Sequence, residues 1–227
     1  PYGSTLPEGE PFRIPLDPSL HCDELPLVSY FIVPHDATQT VGYYIVWKEV
    51  RLVLMTDIGS MTVDDTSVED NRVSVVYNGT TATVYVAGNV AKYVTPTVSG
   101  AHVTIAQSNT EAVDDDEITY GLSGTTDDGG FALSGSYKCT VALEGLTMVN
   151  PSGAAINITN SKRIQLSAKK NTTNHLTDCS GGSQKACIYS KGQLQLQGNG
   201  TLNVTGNTKH AVKSGDYVSI KNLTLNI

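Results

Sequence analysis

Residues 186–204 read ACIYSKGQLQLQGNGTLNV, and residues 210–227 read HAVKSGDYVSIKNLTLNI. The second stretch repeats the first in register, so that Ser190 aligns with Ser214, Leu194 with Val218 and Leu196 with Ile220. Apolar and polar residues alternate in both stretches, which is typical of half-buried β-strands. A strand pattern that returns at a fixed interval predicts neighbouring coils that pair in register.

Two further stretches upstream match this repeat. The matching apolar pairs are Val141/Leu143, Ile164/Leu166, Leu194/Leu196 and Val218/Ile220, and a second column consists of Ile156, Ile188 and Val212. The interval between the second and third pairs is longer than the other two, and we attribute the difference to a loop inserted at 171–184 (NTTNHLTDCSGGSQ). This periodicity predicts a parallel β-helix, a solenoid in which each coil buries its apolar face against its neighbours.

Composition divides the chain into three parts. Residues 1–25 are rich in proline and predict a linker or a tail. Residues 26–94 predict a smaller β segment: strands at 43–55 (YYIVWKEVRLVLM), and a hairpin at 73–86 (VSVVYNGTTATVYV) whose Asn78-Gly79 supplies the positive φ angles of the turn. Residues 95–227 predict the parallel β-helix. The predicted fold class is therefore all-β, a solenoid preceded by a smaller N-terminal β segment.

Charge and hydropathy limit the possible partners. The net charge of −7 argues against nucleic acid as a partner. Residues 1–130 hold 5 Lys/Arg and 19 Asp/Glu, whereas residues 131–227 hold 10 Lys/Arg and 3 Asp/Glu, so the second half is basic. No apolar run approaches the roughly 18–20 residues that span a membrane. The chain starts at Pro1 without a signal peptide, which is typical of a mature or trimmed product. Its last coil ends bare at Ile227, and two interpretations stay open: the natural chain continues beyond this residue, or another chain covers the coil by self-association.

The four cysteines do not show the spacing of a metal site. Cys179 and Cys187 flank the short loop SGGSQKA, and the sequence leaves open whether they form a disulfide or remain two free thiols. Two acidic loops, EAVDDDEI at 111–118 and TTDDGG at 125–130, do not fit the spacing of an EF-hand. Solvated acidic turns are the simpler interpretation, and Asp127 and Asp128 are only weak metal candidates.

The outward positions of the coils carry the candidate binding residues. Asn157, Tyr189 and Lys213 form one outward column, because each directly follows an inward residue of the second column. Near this column we also place Lys185, Lys191, His210 and Tyr217. Aromatic rings, amides and ammonium groups repeated in one direction suit a polysaccharide, whose sugars offer C–H faces, hydroxyls and, in uronic acids, carboxylates. A solvated β-helix face has a similar composition and is the alternative interpretation.

Motifs of catalysis are absent from the sequence. It contains no GxSxG, HExxH or P-loop pattern. The three acids of the basic half, Glu144, Asp178 and Asp216, do not form an evident pair for glycoside hydrolysis. A lyase would need a Lys or Arg base near a carboxylate-bound cation.

Two long stretches, 118–164 and 182–214, resemble a family of bacterial carbohydrate-binding domain-containing proteins of Bacteroidetes type. The motifs that carry the resemblance are G-L-T-x-x-N at 145–150, A-A-I-x-I at 154–158 and the coil pattern S-x-x-x-x-L/V-x-I/L. The resemblance implies a right-handed parallel β-helix similar in fold to pectate lyases. It also implies binding of cellulose and acidic, pectin-like polysaccharides without cleavage, with Ca²⁺ on the coils. Of the Asp residues that relatives carry on the coil pattern, only Asp216 is present here.

These observations predict a non-catalytic polysaccharide-binding module of a secreted or cell-surface bacterial protein, with acidic glycans favoured. Two alternatives remain open, a calcium-dependent polysaccharide lyase and a structural surface stalk or adhesin. The predicted glycan contacts are Tyr189, Lys191, Lys213, His210, Tyr217, Lys185 and Asn157. The predicted metal candidates are Asp216, Asp127 and Asp128.

Overall fold

The computed structural model describes residues 28–36, 39–46, 49–51 and 69–227. Within these residues the chain is all-β, and the one helical element is a short 3₁₀-helix at Gly88–Tyr93. No helix of this part of the chain is both long and apolar enough to cross a bilayer. The predicted Pro-rich tail at 1–25 and Cys22 lie outside the described residues.

A three-stranded antiparallel sheet lies near the N-terminus. Its strands are β1 (Val28–Asp36), β2 (Gln39–Val46) and β3 (Glu49–Arg51), in the order β1-β2-β3. Tyr44 pairs with Arg51 and Val46 with Glu49. The strand prediction for 43–55 is thus confirmed where the structure describes that segment.

A hairpin of β4 (Arg72–Asn78) and β5 (Thr81–Val86) opens the second, larger part of the fold. Asn78 pairs with Thr81, so the two turn residues are Gly79 and Thr80, and only Gly79 has a positive φ angle. The hairpin is confirmed, but the prediction that Asn78 shares the positive φ angles is wrong. Gly79 alone is sufficient, because a type II′ turn requires positive φ only at its first central residue.

Parallel strands then stack in three ladders. The first ladder joins β4, β8 (Thr119–Thr126), the first half of β10 (Cys139–Val149), β12 (Ile164–Ala168), β15 (Leu194–Gly198) and β18 (Val218–Lys221). The second joins the second half of β10, β13 (Thr173–Thr177), β16 (Thr201–Thr205) and β19 (Thr224–Asn226). The third joins β7 (Ala101–Gln107), β9 (Gly129–Ser134), β11 (Ile156–Ile158), β14 (Ile188–Ser190) and β17 (Val212–Ser214), and β6 (Val94–Ser99) pairs with β7 antiparallel. In the later coils, each coil therefore contributes one short strand to each ladder.

The register of the first ladder corrects one predicted alignment. The repeat predicts that Val141 pairs with Ile164, whereas in the structure Ile164 pairs with Cys139 and Val141 pairs with Leu166. The later pairs, Leu194 with Val218 among them, are confirmed. A slip of two residues keeps the same side chains facing inward, so alternation alone could not distinguish the two registers.

The second ladder corrects the predicted insertion. Residues 171–184 are not one loop, because β13 (Thr173–Thr177) lies inside that range and pairs with both β10 and β16. The additional residues lie on either side of β13, at 169–172 and at 178–187. The strand was hidden because one of its two inward residues is a polar amide, Asn174, which is fully buried.

The third ladder confirms the predicted second column. Ile156 pairs with Ile188, and Ile188 pairs with Val212. Their outward neighbours pair likewise, Asn157 with Tyr189 and Tyr189 with Lys213. The ladder also extends upstream through Phe131 and Val103, which the sequence analysis did not align with this column.

Aliphatic side chains from all three ladders fill the space that the coils enclose. Leu143, Ile164, Leu194 and Ile188 are fully buried, as the inward half of an alternating strand should be. The last strand of the first ladder differs, since Val218 and Ile220 are 41% and 57% exposed. Burial of an inward residue thus depends on a coil on each side of it.

Three glycines at the bends between the first and second ladders have a left-handed backbone conformation. Gly124, Gly145 and Gly198 have φ angles of 94°, 84° and 108°. A Cβ atom on Gly198 would lie 2.0 Å from the carbonyl oxygen of Ala168 in the preceding coil. Both the left-handed backbone and this close stacking therefore exclude a side chain at Gly198.

Candidate functional site

A groove of about 420 Å³ lies on the outward face of the third ladder. Its floor is a row of residues paired from strand to strand: Thr104, Ala132, Asn157 and Tyr189. Its walls are the corner at 150–154 and the loop segment at 183–185. The groove thus combines the outward column predicted from the sequence with two corner loops.

Tyr189 and Lys185 form the most distinctive contact in the groove. The Nζ atom of Lys185 lies 4.8 Å from the centroid of the Tyr189 ring and 3.3 Å from its hydroxyl oxygen. A cation held against the face of a tyrosine ring is attracted by the ring quadrupole. The two side chains therefore offer an aromatic surface and a positive charge at one end of the groove.

The other end of the groove contains a histidine that the sequence analysis missed. The Nε2 atom of His102 lies 3.1 Å from Oδ1 of Asp128, which fixes the orientation of the ring. Gly130 faces this ring, and a Cβ atom there would lie 3.2 Å from Nδ1 of His102 and 2.7 Å from Nδ2 of Asn150. Glycine at this position keeps the floor low, so that the groove stays open between the histidine and the corner.

Asn150 shapes the groove rather than offering its amide to a ligand. Its Nδ2 group donates a hydrogen bond to the carbonyl oxygen of Ala154 at 2.7 Å. Its Oδ1 atom accepts hydrogen bonds from the backbone nitrogen of Ser152 at 3.0 Å and from the hydroxyl of Ser152 at 2.9 Å. The corner at 150–154 is therefore held by its own side chain, as asparagine commonly does in turns.

The lining of the groove mixes polar and apolar residues and carries no carboxylate. It includes Lys185 and His102 among its ionisable side chains, with the amides of Asn150, Asn157 and Gln184. Asp128 touches His102 from outside the lining. The groove therefore favours neutral or anionic ligands over cationic ones.

The structure brings together only part of the predicted set of contacts. Asn157, Lys185 and Tyr189 line the groove, and Lys213 extends their row by one strand. Tyr217 lies elsewhere, at the corner before β18, where its hydroxyl is 3.1 Å from Oε1 of Gln193. Lys191 and His210 also lie outside the lining. A glycan role for these last three residues stays a prediction.

The predicted metal candidates do not come together. Asp127 and Asp128 lie between β8 and β9, whereas Asp216 lies between β17 and β18. Among the described residues, no group of three or more His, Cys, Asp or Glu side chains is placed to hold a metal ion. These carboxylates are separated because they belong to different corners of different coils, so the structure assembles no calcium site from them.

The disulfide between Cys179 and Cys187 is not formed, and both residues are buried free thiols. The thiol of Cys179 instead lies 3.3 Å from Oε1 of Gln184, inside the same loop. Burial raises the pKa of the Cys187 thiol to about 12, with a smaller contribution from the charge of Asp178. Burial likewise raises the pKa of the Cys139 thiol well above its ordinary value. Neutral thiols of this kind act as small apolar side chains.

The repeat in the sequence does not predict the upstream half of the groove, because the strands there do not share the residue pattern of the later repeats. Val103 pairs with Phe131, and Phe131 pairs with Ile156, at intervals that differ from those of the later coils. The available signal was the alternation in AHVTIAQ at 101–107 and the run GGFALS at 129–134. Both predict strands, and only their pairing places His102 beside the predicted column.

Comparisons with known proteins bear on the identity of this domain. A polysaccharide lyase-like protein from C. thermocellum, solved as a gadolinium derivative, shares the fold with a TM-score of 0.53 and 21% identity over 68% of this chain and 61% of that chain. A carbohydrate-binding domain-containing protein of Acetivibrio thermocellus is 25% identical in an alignment 111 residues long that covers 44% of this chain and 39% of the relative. The chain thus spans less than two thirds of either relative.

A family model also matches the chain. The model of the carbohydrate-binding domain-containing proteins matches residues 99–227, which is more than half of the chain. The relative from Acetivibrio thermocellus does not support the Bacteroidetes assignment. The matched residues contain the three ladders apart from β4 and most of β6, and they contain every residue that lines the groove. The chain belongs to the family of carbohydrate-binding domain-containing proteins.

Proposed function

We propose that the chain is a non-catalytic polysaccharide-binding module and that the groove on the third ladder holds the glycan. The observation that carries the proposal is the row of Asn157 and Tyr189 on the floor, with Lys185 against the tyrosine ring. Membership of a carbohydrate-binding family supports the class of ligand. The groove supplies a specific place for it.

A polymer fits this row better than a single sugar. The outward row runs from Thr104 through Ala132, Asn157 and Tyr189 to Lys213, one residue on each of five neighbouring strands. Neighbouring strands lie about 4.8 Å apart, so the row spans about 19 Å. Several linked sugars could lie along that length, with C–H faces against the ring and hydroxyls against the amide.

Acidic, pectin-like glycans are the favoured ligands. Lys185 lies at the tyrosine ring, Lys213 continues the row, and the lining carries no carboxylate. The surrounding half of the chain, residues 131–227, holds 10 Lys/Arg against 3 Asp/Glu. A uronate carboxylate along the row would therefore meet positive charge without repulsion from the groove itself.

The finer fold and location belong to the same proposal. We infer that the stacked ladders of 95–227 form a right-handed parallel β-helix, which the parallel pairing of each coil with the next supports. A bacterial protein that binds an extracellular polymer would be secreted or attached to the cell surface. A module of this kind needs no reaction centre.

Affinity electrophoresis tests the proposal. The purified chain would be run in gels containing polygalacturonate, a cellulose derivative or xylan, at two salt concentrations, with Ca²⁺ or with a chelator. We expect polygalacturonate to retard the chain, and we expect the retardation to weaken with salt and to survive chelation. Retardation that requires Ca²⁺ would instead indicate a metal-dependent site. Failure of every glycan to retard the chain would overturn the proposal, and gel filtration would then test self-association as a structural protein.

Variants of the groove locate the site. Lys185→Met should weaken the binding of polygalacturonate about fivefold at low salt. An exposed ion pair contributes at most about 1 kcal/mol, which corresponds to about that factor in affinity. Lys92→Met is the matched control, because its Nζ lies 4.9 Å from the centroid of the Tyr93 ring, outside the groove. Tyr189→Ala should remove most of the binding, whereas Tyr189→Phe keeps the ring. Equal affinities of Lys185→Met and Lys92→Met for polygalacturonate would exclude the groove as the glycan-binding site.

Incubation with polygalacturonate separates binding from cleavage. A lyase would generate an unsaturated product that absorbs in the ultraviolet, and its rate would fall when its base is replaced. We expect no such product from this chain, with or without Ca²⁺. Steady formation of the product by the wild-type chain would overturn the proposal of a non-catalytic module in favour of a polysaccharide lyase.

A further inference from the structure

One wall of the groove is a loop that is longer than its counterparts. Ten residues, 178–187, connect β13 to β14, whereas six residues connect the equivalent strands at 150–155 and at 206–211. The long loop carries Gln184 and Lys185 into the lining of the groove. It also contains Gly181 and Gly182, so it would be flexible if nothing held it.

A buried carboxylate stands at the start of this loop. Asp178 is only 2% exposed, and no Lys, Arg or His among the described residues lies within ion-pair distance of it. Its Oδ2 atom accepts a hydrogen bond from Nε2 of Gln184 at 2.8 Å, and its Oδ1 atom accepts one from the backbone nitrogen of Asn207 at 2.5 Å. A buried charge without a cation needs such hydrogen bonds, so these contacts are costly to remove.

Gln184 links the loop to the next coil. Besides Asp178, its Nε2 group lies 2.9 Å from the carbonyl oxygen of Cys179 and 2.8 Å from Oγ1 of Thr208. Thr208 in turn donates to the same carbonyl oxygen of Cys179 at 2.6 Å. A Cβ atom on Gly182 would lie 2.1 Å from Oε1 of Gln184, which shows how closely the loop wraps around this side chain. The half-buried amide is therefore the anchor of the loop.

We propose that Asp178 and Gln184 are positioning residues for the groove, which hold the 178–187 loop so that Lys185 stays against Tyr189. This inference rests on the proposed function. The backbone of residue 185 directly follows the anchored residue 184, so the place of the lysine depends on the anchor. Without it, the loop would have to be ordered when the glycan binds, and that loss of conformational freedom would weaken the complex.

Four variants test the pair. Gln184→Ala removes the anchor, and Gln184→Glu places a second carboxylate against Asp178, which like-charge repulsion disfavours. Asp178→Asn removes the buried charge. The exchange variant Asp178→Asn/Gln184→Glu again provides one amide donor and one carboxylate acceptor. Gln165→Ala is the matched control, since Gln165 is a half-buried glutamine on β12, outside the groove.

Binding of an oligogalacturonate by calorimetry and hydrogen exchange of the 180–187 amides are the two measurements. We expect Gln184→Ala and Gln184→Glu to weaken binding two- to fivefold, no more than the loss of Lys185 itself, and to speed hydrogen exchange in 180–187, while Gln165→Ala changes neither. The double variant Asp178→Asn/Gln184→Glu should bind more tightly than Gln184→Glu and should show slower hydrogen exchange in 180–187. In a Lys185→Met background, Gln184→Ala should change the affinity little, because the lysine that the anchor positions is absent. A general loss of stability would instead lower the affinity by the same factor with and without Lys185.

The outcomes separate this inference from the proposed function. If the wild-type chain binds no glycan, the proposed function fails and the positioning role fails with it. If the wild-type chain binds and Gln184→Ala binds equally well, the positioning role alone is overturned. Equal losses in the two lysine backgrounds would overturn it too, because the anchor would then not act through Lys185.

Discussion

Replacing Asn174 by alanine should destabilise the coils more than any outward asparagine can. Asn174 is fully buried on β13, among residues that the second ladder turns inward. Its Oδ1 atom accepts hydrogen bonds from the backbone nitrogens of Gly145 and Leu146, each at 2.9 Å. These two nitrogens lie where β10 bends from the first ladder to the second, at a glycine with positive φ. The amide therefore stabilises the bend as well as filling the core.

The magnitude follows from the bonds that the substitution removes. Alanine would leave the backbone N–H groups of Gly145 and Leu146 without this partner, and the group on Leu146, which is fully buried, costs about 1–3 kcal/mol. The Nδ2 group of Asn174 also donates to the hydroxyl of Thr172 and to the carbonyl oxygen of Thr201, both at 3.1 Å. Some relaxation and water entry will offset part of the loss. We expect Asn174→Ala to lower the free energy of unfolding by about 3 kcal/mol.

Urea unfolding of the two variants provides the measurement, with Asn203→Ala as the control. Asn203 lies on β16, the neighbouring strand, but faces outward and is only half-buried. Its loss should cost less than about 1 kcal/mol, since surface substitutions rarely do more. Equal costs for the two variants, at equal denaturant slopes, would refute the claim that the buried amide stabilises the bend.

Two further predictions concern the backbone and the thiols. Gly198→Ala should lower the free energy of unfolding by at least about 2 kcal/mol more than Gly181→Ala. Both residues have positive φ, but a Cβ atom on Gly198 would lie 2.0 Å from another atom, whereas one on Gly181 would meet nothing within 4 Å. Thermal melting compares the two variants, and similar melting temperatures would contradict the steric account. The folded pKa of Cys187 is raised from 9.0 to about 12, so the unfolded chain loses this proton first as the pH rises. Stability should therefore fall between pH 9 and 12, by up to roughly 1.4 kcal/mol per pH unit for this thiol. Urea midpoints of the wild-type chain and of Cys187→Ala across that range measure the contribution, and parallel curves for the two proteins would show that it is absent.

The sequence was sufficient for the inward column of the third ladder. Ile156, Ile188 and Val212 are aliphatic, alternate with polar neighbours and recur along the chain, and the structure pairs them as predicted. Their outward neighbours follow automatically, because side chains of a strand alternate between its two faces. That is why Asn157 and Tyr189 could be placed side by side on an outward face from the sequence alone.

The errors arose where alternation gives no information. The register at Cys139 was wrong by two residues, and a shift of two leaves the same residues inward. The strand around Asn174 was taken for a loop, since a buried amide is indistinguishable from a surface amide in the sequence. The sequence does not point to His102, because its strand joins the ladder with neither the residue pattern nor the spacing of the later repeats.

Stacking leaves two kinds of position free to change, and the groove uses both. Inward residues must fit the coils before and after them, and bend glycines such as Gly198 touch the backbone of a neighbouring coil. Outward residues such as Tyr189, and exposed positions of the corner loops such as Lys185, do not carry these constraints. A longer loop at one corner therefore adds a wall and a cation while the ladders keep their register, as the unbroken pairing of β11, β14 and β17 on either side of it shows. Ligand preference should consequently change more readily through the outward strand residues and the exposed positions of the 178–187 loop than through the inward residues of the ladders.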